Sequence, residues 1–315
     1  MVTDKYPIRI NPYALGLIKA GSTAVRRQFV PDPAELNAAG LSDPDPLCEE
    51  AQSPVPGLIH RYPDRVLFIV SDQCAVYCRH CMRKRDVGGG GKVTPDALRA
   101  AIDYICRTPR IREVILSGGD PLMMDNGRLF ELLEAITAIN HVELIRIHTR
   151  MPGMLPWRIT PEFARNLACF HPLYINIQFN HPDELTPEAC SACAMLADSG
   201  IPLGSQTVLL AGVNDDPETM ISLMRKLLAA RVRPYYLHHP DPVAGTAHFR
   251  VPVEKGIEIL RAMRGNISGM GIPHYVIDLP GGGGKVPLQP SYVIENSETE
   301  LLVCNFEKKR YKYPV

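Results

Sequence analysis

The sequence has no excess charge of either sign: 34 lysines and arginines face 34 aspartates and glutamates, a formal net charge of zero. A surface that coats a polyanion needs a basic excess, so nucleic acid is excluded as a partner. No apolar run approaches the ~18 residues of a membrane span, and the first residues, Met1-Val-Thr-Asp-Lys5, lack a signal peptide's apolar stretch. The reading is therefore a cytoplasmic protein with no membrane partner. Low complexity is missing as well, since 29 prolines and 24 glycines in 315 residues stay below the ~25–30% that marks such chains. There is no charged tail and no internal repeat beyond an alternation of strands and helices.

What is present is an ordinary globular composition, 45% apolar and 22% charged. From residue 65 onward, apolar β-branched runs at 65–70, 113–116, 144–148, 173–179, 206–210 and 234–238 alternate with helical stretches. These lie at 94–105, 127–138, 160–169, 186–199, 216–230 and 253–264, the first with Thr94 as N-cap and Pro95 at its first position. Six βα units of about 30–35 residues predict a parallel sheet with crossover helices, and six are too few to close an eight-stranded barrel. The predicted fold is α/β, an open, partial (βα)6 TIM-like barrel with its active face at the C-terminal ends of the strands. Residues 1–60, irregular and proline-rich, read as a helical N-terminal extension and 61–270 as the barrel. Residues 271–315, with a glycine run and short strands near 292–294 and 301–303, read as a C-terminal cap.

Nine cysteines is an odd number, and in a chain without a secretory segment they are read for thiolate chemistry before disulfides. Three are bunched: Cys74, Cys78 and Cys81 form Cys-x3-Cys-x2-Cys directly after the first strand. Soft thiolates at this spacing suit zinc or an iron–sulfur cluster. A structural zinc site wants four protein ligands, and only His80, between two of the cysteines, offers itself. A [4Fe-4S] cluster on three cysteines leaves one iron open to a substrate or cofactor. Cys190 and Cys193 fall inside a helical stretch among alanines and a leucine and read as buried packing. Gly281 to Gly284 followed by Lys285 is not a nucleotide loop, because Val286 stands where a P-loop needs Ser or Thr. The run instead makes a sterically empty approach to one amine, which suits a Schiff-base lysine.

With Ser117-Gly-Gly-Asp120-Pro at the end of the second strand, the cysteine motif resembles that of the radical SAM superfamily. Further blocks narrow the resemblance to the lysine 2,3-aminomutase family over roughly residues 55–310. They are Arg61-Tyr-Pro-Asp-Arg65, Asn180-His-Pro-Asp-Glu184, Leu209-Leu-Ala-Gly-Val-Asn-Asp215, Arg233-Pro-Tyr-Tyr236 and Pro280-Gly-Gly-Gly-Gly-Lys285.

The resemblance implies three cofactors. A [4Fe-4S] cluster sits on Cys74, Cys78 and Cys81. S-adenosylmethionine binds with its amino group at Gly118, Gly119 and the Asp120 carboxylate and with Gln206 nearby. Pyridoxal 5′-phosphate is held on Lys285, its phosphate at Arg61 and Arg65 and its ring near Tyr62. It also implies Arg83 as the clamp for the substrate α-carboxylate, with Asp241 and Asp278, both ionised, receiving the distant ammonium of L-lysine. The implied reaction is an isomerisation to β-lysine, in which a 5′-deoxyadenosyl radical takes a hydrogen from C3 and the amino group moves from C2 to C3. Flavodoxin or ferredoxin as electron donor and a homodimer complete the expectation. Arginine 2,3-aminomutase stays open as an alternative, because a guanidinium also satisfies two aspartates. So do a non-mutase radical enzyme and an iron–sulfur electron carrier. The C-terminal zinc cluster of longer relatives is expected to be absent, with only Cys304 near the chain end, and His238 stands where an aromatic residue is expected.

Overall fold

The computed structural model describes residues 1–37, 40, 41, 43–89 and 93–315. Seven parallel strands lie side by side in chain order: β2 (Arg65–Ser71), β3 (Glu113–Gly118), β4 (Leu144–Thr149), β5 (Leu173–Ile177), β6 (Leu203–Val208), β7 (Arg233–His238) and β8 (His274–Leu279). Two antiparallel strands, β1 (Leu58–Tyr62) and β9 (Gly284–Pro287), flank them, giving a nine-stranded, nearly closed partial barrel. Four crossover helices start on a capping side chain followed by proline: Thr94-Pro95, Thr160-Pro161, Thr186-Pro187 and Asp216-Pro217. In each the cap oxygen takes an otherwise orphaned backbone N–H, and proline has none to lose. The helices bury apolar stripes on the outer face of the sheet, as in Pro217–Ala229, where Met220, Leu223, Met224 and Leu227 are buried.

The inner face is different. In β4, Ile145 and Ile147 join the core while Arg146 and His148 point the other way, and Asn176, Gln206, Tyr236 and His238 continue this polar lining across β5 to β7. Alternate residues of a strand face opposite sides, so the helices cover an apolar face and the barrel interior is left polar.

Three boundaries differ from the sequence reading. The strand placed at 206–210 is β6, three residues earlier, because the Asn214 side chain folds Leu210 into a turn by accepting its N–H at 2.8 Å. The segment read as a cap from 271 contributes β8 and β9 to the barrel sheet, and only β10 (Val293–Asn296), β11 (Glu300–Cys304) and β12 (Arg310–Pro314) form a separate sheet. The boundary at 60/61 falls inside β1. Helices Val2–Lys5, Pro12–Lys19 and Thr23–Phe29 form the extension, whose Ala14, Val25 and Phe29 pack on Val76 and Met154 of the barrel loops. Among the described residues no helix is long and apolar enough to cross a membrane.

Candidate active site

The loop after β2 carries Cys74, Cys78 and Cys81, all free thiols. It is held from two sides. On one, the turn after β3 donates Gly119 N–H to Ser71 O at 2.6 Å and Asp120 N–H to Gln73 O at 2.7 Å. A Cβ on Gly118, whose φ is 117°, would sit 2.5 Å from Ser71 O, and one on Gly119 would overlap Gln73, so the two glycines let the turns meet. On the other side, Arg79, between the second and third cysteines, reaches Glu35 of the extension with Nε at 3.0 Å and Nη2 at 2.6 Å, and Lys84 Nζ meets the same carboxylate at 2.6 Å. These charges are buried, which is tolerable only because they are paired and hydrogen-bonded.

Burial pushes the Cys74 thiol well up and the Cys81 thiol up to about 11. Both are neutral without a metal, and a bound cation would reverse that preference. At Cys78 the turn after β4 already provides a donor: Arg150 Nη1 lies 2.9 Å from its Sγ, while Nη2 is held by Gln28 at 2.6 Å and Glu184 at 2.8 Å. Three soft donors on a loop fixed from both sides, one facing a guanidinium, fit an anionic iron–sulfur cluster.

The Asp120 carboxylate is buried and accepts from Leu122 N–H at 3.0 Å, Thr149 Oγ1 at 2.8 Å and Arg150 N–H at 2.8 Å. It ties the β3 turn to the β4 turn and lines the same cavity as Gly118 and Gly119.

The opposite end of the barrel is built by a hairpin. Asp278 on β8 and Lys285 on β9 are register partners, so both side chains lie on one face, with Nζ 2.8 Å from Oδ1. Gly281 and Gly282 take φ of 69° and 82° in the turn between them. Burial opposes ionisation of Asp278, but the neighbouring His238, 3.8 Å away, and the Lys285 charge outweigh it and hold its carboxyl well below the usual range. Arg61 Nη1 stands 3.7 Å from the same carboxylate and is fixed by Gln52 Oε1 at 2.7 Å and Leu47 O at 3.0 Å. The Arg65 guanidinium lies over the Tyr62 ring, 4.0 Å from its centroid, and Tyr62 Oη accepts the Lys285 backbone N–H at 2.8 Å. An amine, two guanidinium groups and an aromatic ring at one end fit a phosphorylated pyridine aldehyde.

Asp241 corrects the expectation of two ionised aspartates. Burial first, then the charge of Asp278, pushes its carboxyl up to about 7, so near neutrality it is only partly ionised in the ligand-free protein. A carboxyl raised in the fold favours the native state below its ordinary value and loses that contribution as pH rises through about 7. Asp241→Asn is therefore expected to be more stable than the wild-type apoprotein at pH 8, by on the order of a few kcal/mol, with the gap narrower at pH 5 and closed only below the ordinary carboxylate value. Thermal melts at both values check this.

All fourteen residues singled out in the sequence line one cavity of about 610 Å³, ordinary for a small-molecule site. Cys74, Cys78, Cys81 and the glycine turn form one wall, and Lys285, Asp278, Asp241, Arg61, Arg65 and Tyr62 the other. Arg83 and Gln206 lie between, Gln206 Nε2 at 3.5 Å from His148 Nε2. The sequence reading passed over Glu49, which grips Arg83 with Oε2 to Nε at 3.0 Å and Oε1 to Nη2 at 2.6 Å. It also passed over His148, Asn176 and Arg150, and it left His238 without a role although His238 Nδ1 stands 3.8 Å from Asp278. For the strand residues a signal existed, the polar side chain at every second position of an otherwise apolar strand. Cys190 and Cys193 lie away from the cavity, Cys193 inside the core.

Comparison with known proteins gives a consistent set. A model of the radical SAM superfamily matches residues 68–224, and one described as lysine-2,3-aminomutase matches residues 258–314. The sequence is 48% identical over 301 residues to the L-lysine 2,3-aminomutase of Fusobacterium nucleatum, covering 95% of this chain and 71% of that one. Against the L-lysine 2,3-aminomutase of Clostridium subterminale it is also 48% identical over 301 residues, covering 95% and 72%. A glutamate 2,3-aminomutase of Clostridioides difficile is 40% identical over 306 residues, covering 96% and 72%.

Proposed function

The chain belongs to the lysine 2,3-aminomutase family of radical SAM isomerases, and from that premise we propose that it converts L-lysine to β-lysine in the cavity described above. The observation that carries the proposal is that one cavity joins a three-thiol wall to an amine paired with a buried carboxylate. Cys74, Cys78 and Cys81 would hold the [4Fe-4S] cluster, the Gly118–Gly119 turn and Gln206 would contact S-adenosylmethionine, and Lys285, Arg61, Arg65 and Tyr62 would hold pyridoxal phosphate. When bound, these groups supply a hydrogen-abstracting carbon radical and a π-system over which the migrating radical is delocalised.

The chain's own part is placement. Arg83 takes the substrate α-carboxylate, and Asp278 with Asp241 takes the distant ammonium. In support, Asp278 already binds one primary ammonium, that of Lys285, at 2.8 Å. A second cation arriving at Asp241 favours its ionised form, so its carboxylate charges as the substrate binds. The two ends hold the substrate by both charged groups and fix C3 against the thiol wall, where ~1 Å of misplacement is already costly. A substrate ending in a carboxylate would meet like charge at Asp278. Lysine ranks above arginine because relatives 48% identical to this chain are named for lysine.

The reading includes a one-electron donor such as flavodoxin or ferredoxin and a cytoplasmic location, supported by nine unpaired cysteines. It also includes a homodimer, supported by the exposed Val293, Ile294, Tyr311 and Tyr313 of the outer sheet. The test is anaerobic incubation with S-adenosylmethionine, dithionite and each of L-lysine, L-arginine and L-glutamate, with mass spectrometry for a chromatographically shifted isomer. Lysine is expected to turn over and glutamate not at all; turnover of arginine alone would keep the cationic pocket and discard lysine.

A further inference from the structure

We propose that Glu49 is a positioning residue for substrate recognition: it fixes the Arg83 guanidinium so that its outer edge meets the substrate α-carboxylate. The inference rests on the reading of Arg83 as the carboxylate clamp. Glu49 is buried, 5% exposed, and its two oxygens take Arg83 Nε at 3.0 Å and Nη2 at 2.6 Å. This fills the inner edge of the planar fork. Among the described residues Nη1 meets only Ser117 Oγ, at 3.5 Å, so Nη1 and the second proton of Nη2 are the donors left for a ligand. A guanidinium has five N–H groups in one plane, and locking one edge orients the other.

Glu49 is itself held in place, because Arg85 Nη2 stands 3.5 Å from its Oε2 while Asp45, Glu50 and Asp86 fix the same guanidinium. The same short segment braces the other cofactor-facing groups: Leu47 O and Gln52 Oε1 hold Arg61, and Pro46 O accepts the Gly281 N–H at 2.9 Å. One stretch of the extension thus sets where the carboxylate end lies relative to the Lys285 hairpin. An arginine side chain otherwise gives up considerable rotamer freedom when it binds a ligand, and Glu49 removes that freedom beforehand.

The test separates positioning from mere structural support by using a ligand without the carboxylate. Equilibrium binding of L-lysine and of L-lysinamide to the holoenzyme is followed through the absorbance of bound pyridoxal phosphate, without reductant so that nothing turns over. Wild type is expected to prefer lysine over lysinamide by tenfold or more. In Glu49→Gln that preference falls by about tenfold, through weaker lysine binding, while the lysinamide affinity stays within about twofold. Equal weakening of both ligands would make Glu49 structural only and overturn the inference. If wild type itself does not distinguish the two ligands, the Arg83 reading is overturned, and the inference with it. Should the glutamine variant not fold, Glu49→Asp keeps the charge one methylene back and is expected to lose about threefold of the preference; an unchanged preference there overturns the inference as well.

Discussion

Exchanging Cys78 for alanine is expected to leave a folded protein that still binds pyridoxal phosphate but retains little iron and does not turn over. Three thiolates are the whole protein ligand set for the cluster in this reading, and losing one leaves an iron without its anchor. The fold should survive, because the loop is held by contacts that do not involve sulfur: Arg79 and Lys84 on Glu35, and the glycine turn on Ser71 and Gln73. The control is Cys193→Ala, which removes a sulfur buried in the helix packing. It is expected to cost about 1 kcal/mol of stability and to leave iron and activity intact. Iron and sulfide content with an anaerobic absorbance spectrum decides the matter. Iron lost from the Cys193 variant but kept in the Cys78 variant would reverse the assignment.

The second large effect is at Lys285. Lys285→Ala is expected to abolish turnover while leaving the iron content at its wild-type level, because the contacts that hold the cysteine loop do not involve Lys285. Borohydride reduction and peptide mapping of the wild type should place the pyridoxyl group on this lysine, and the same treatment of the variant should label none. A label on Lys255 would overturn the assignment. The substitution also takes from Asp278 its nearest cation, at 2.8 Å. With Arg61 at 3.7 Å and His238 at 3.8 Å remaining, the Asp278 carboxyl is expected to titrate higher than in the wild type.

Much of this was legible in the chain itself. The alternation of strands and capped, proline-started helices marked the six βα units, and the spacing of Cys74, Cys78 and Cys81 at a strand end marked the metal chemistry. What was hidden depends on contacts between distant residues. The pairing of β9 with β8 cannot be read from a glycine run, yet it alone brings Lys285 onto Asp278. Glu49 sits in a stretch without periodicity, and its importance comes from an arginine 34 residues away. The protonation of Asp241 follows from burial, which a sequence does not carry. That Asp120 also ties two turns together through Thr149 and Arg150 is visible only in the fold. One sign was visible and passed over: strands covered by helices on both faces read as continuous apolar runs, so Arg146 and His148 within β4 already signalled that one face of the sheet was open to a polar space.

The barrel has a seam. β1 and β9 are its two free edges and share no backbone ladder; what joins them is the Lys285 N–H on Tyr62 Oη, at 2.8 Å, and the looser approach of Arg61 to Asp278. A side-chain hydrogen bond contributes about 0.5–1.5 kcal/mol net, less than a cooperative strand pairing. Tyr62, Lys285 and Arg61, which clasp the seam, are residues proposed to hold pyridoxal phosphate, so its binding to the folded protein is expected to add resistance to unfolding at the seam.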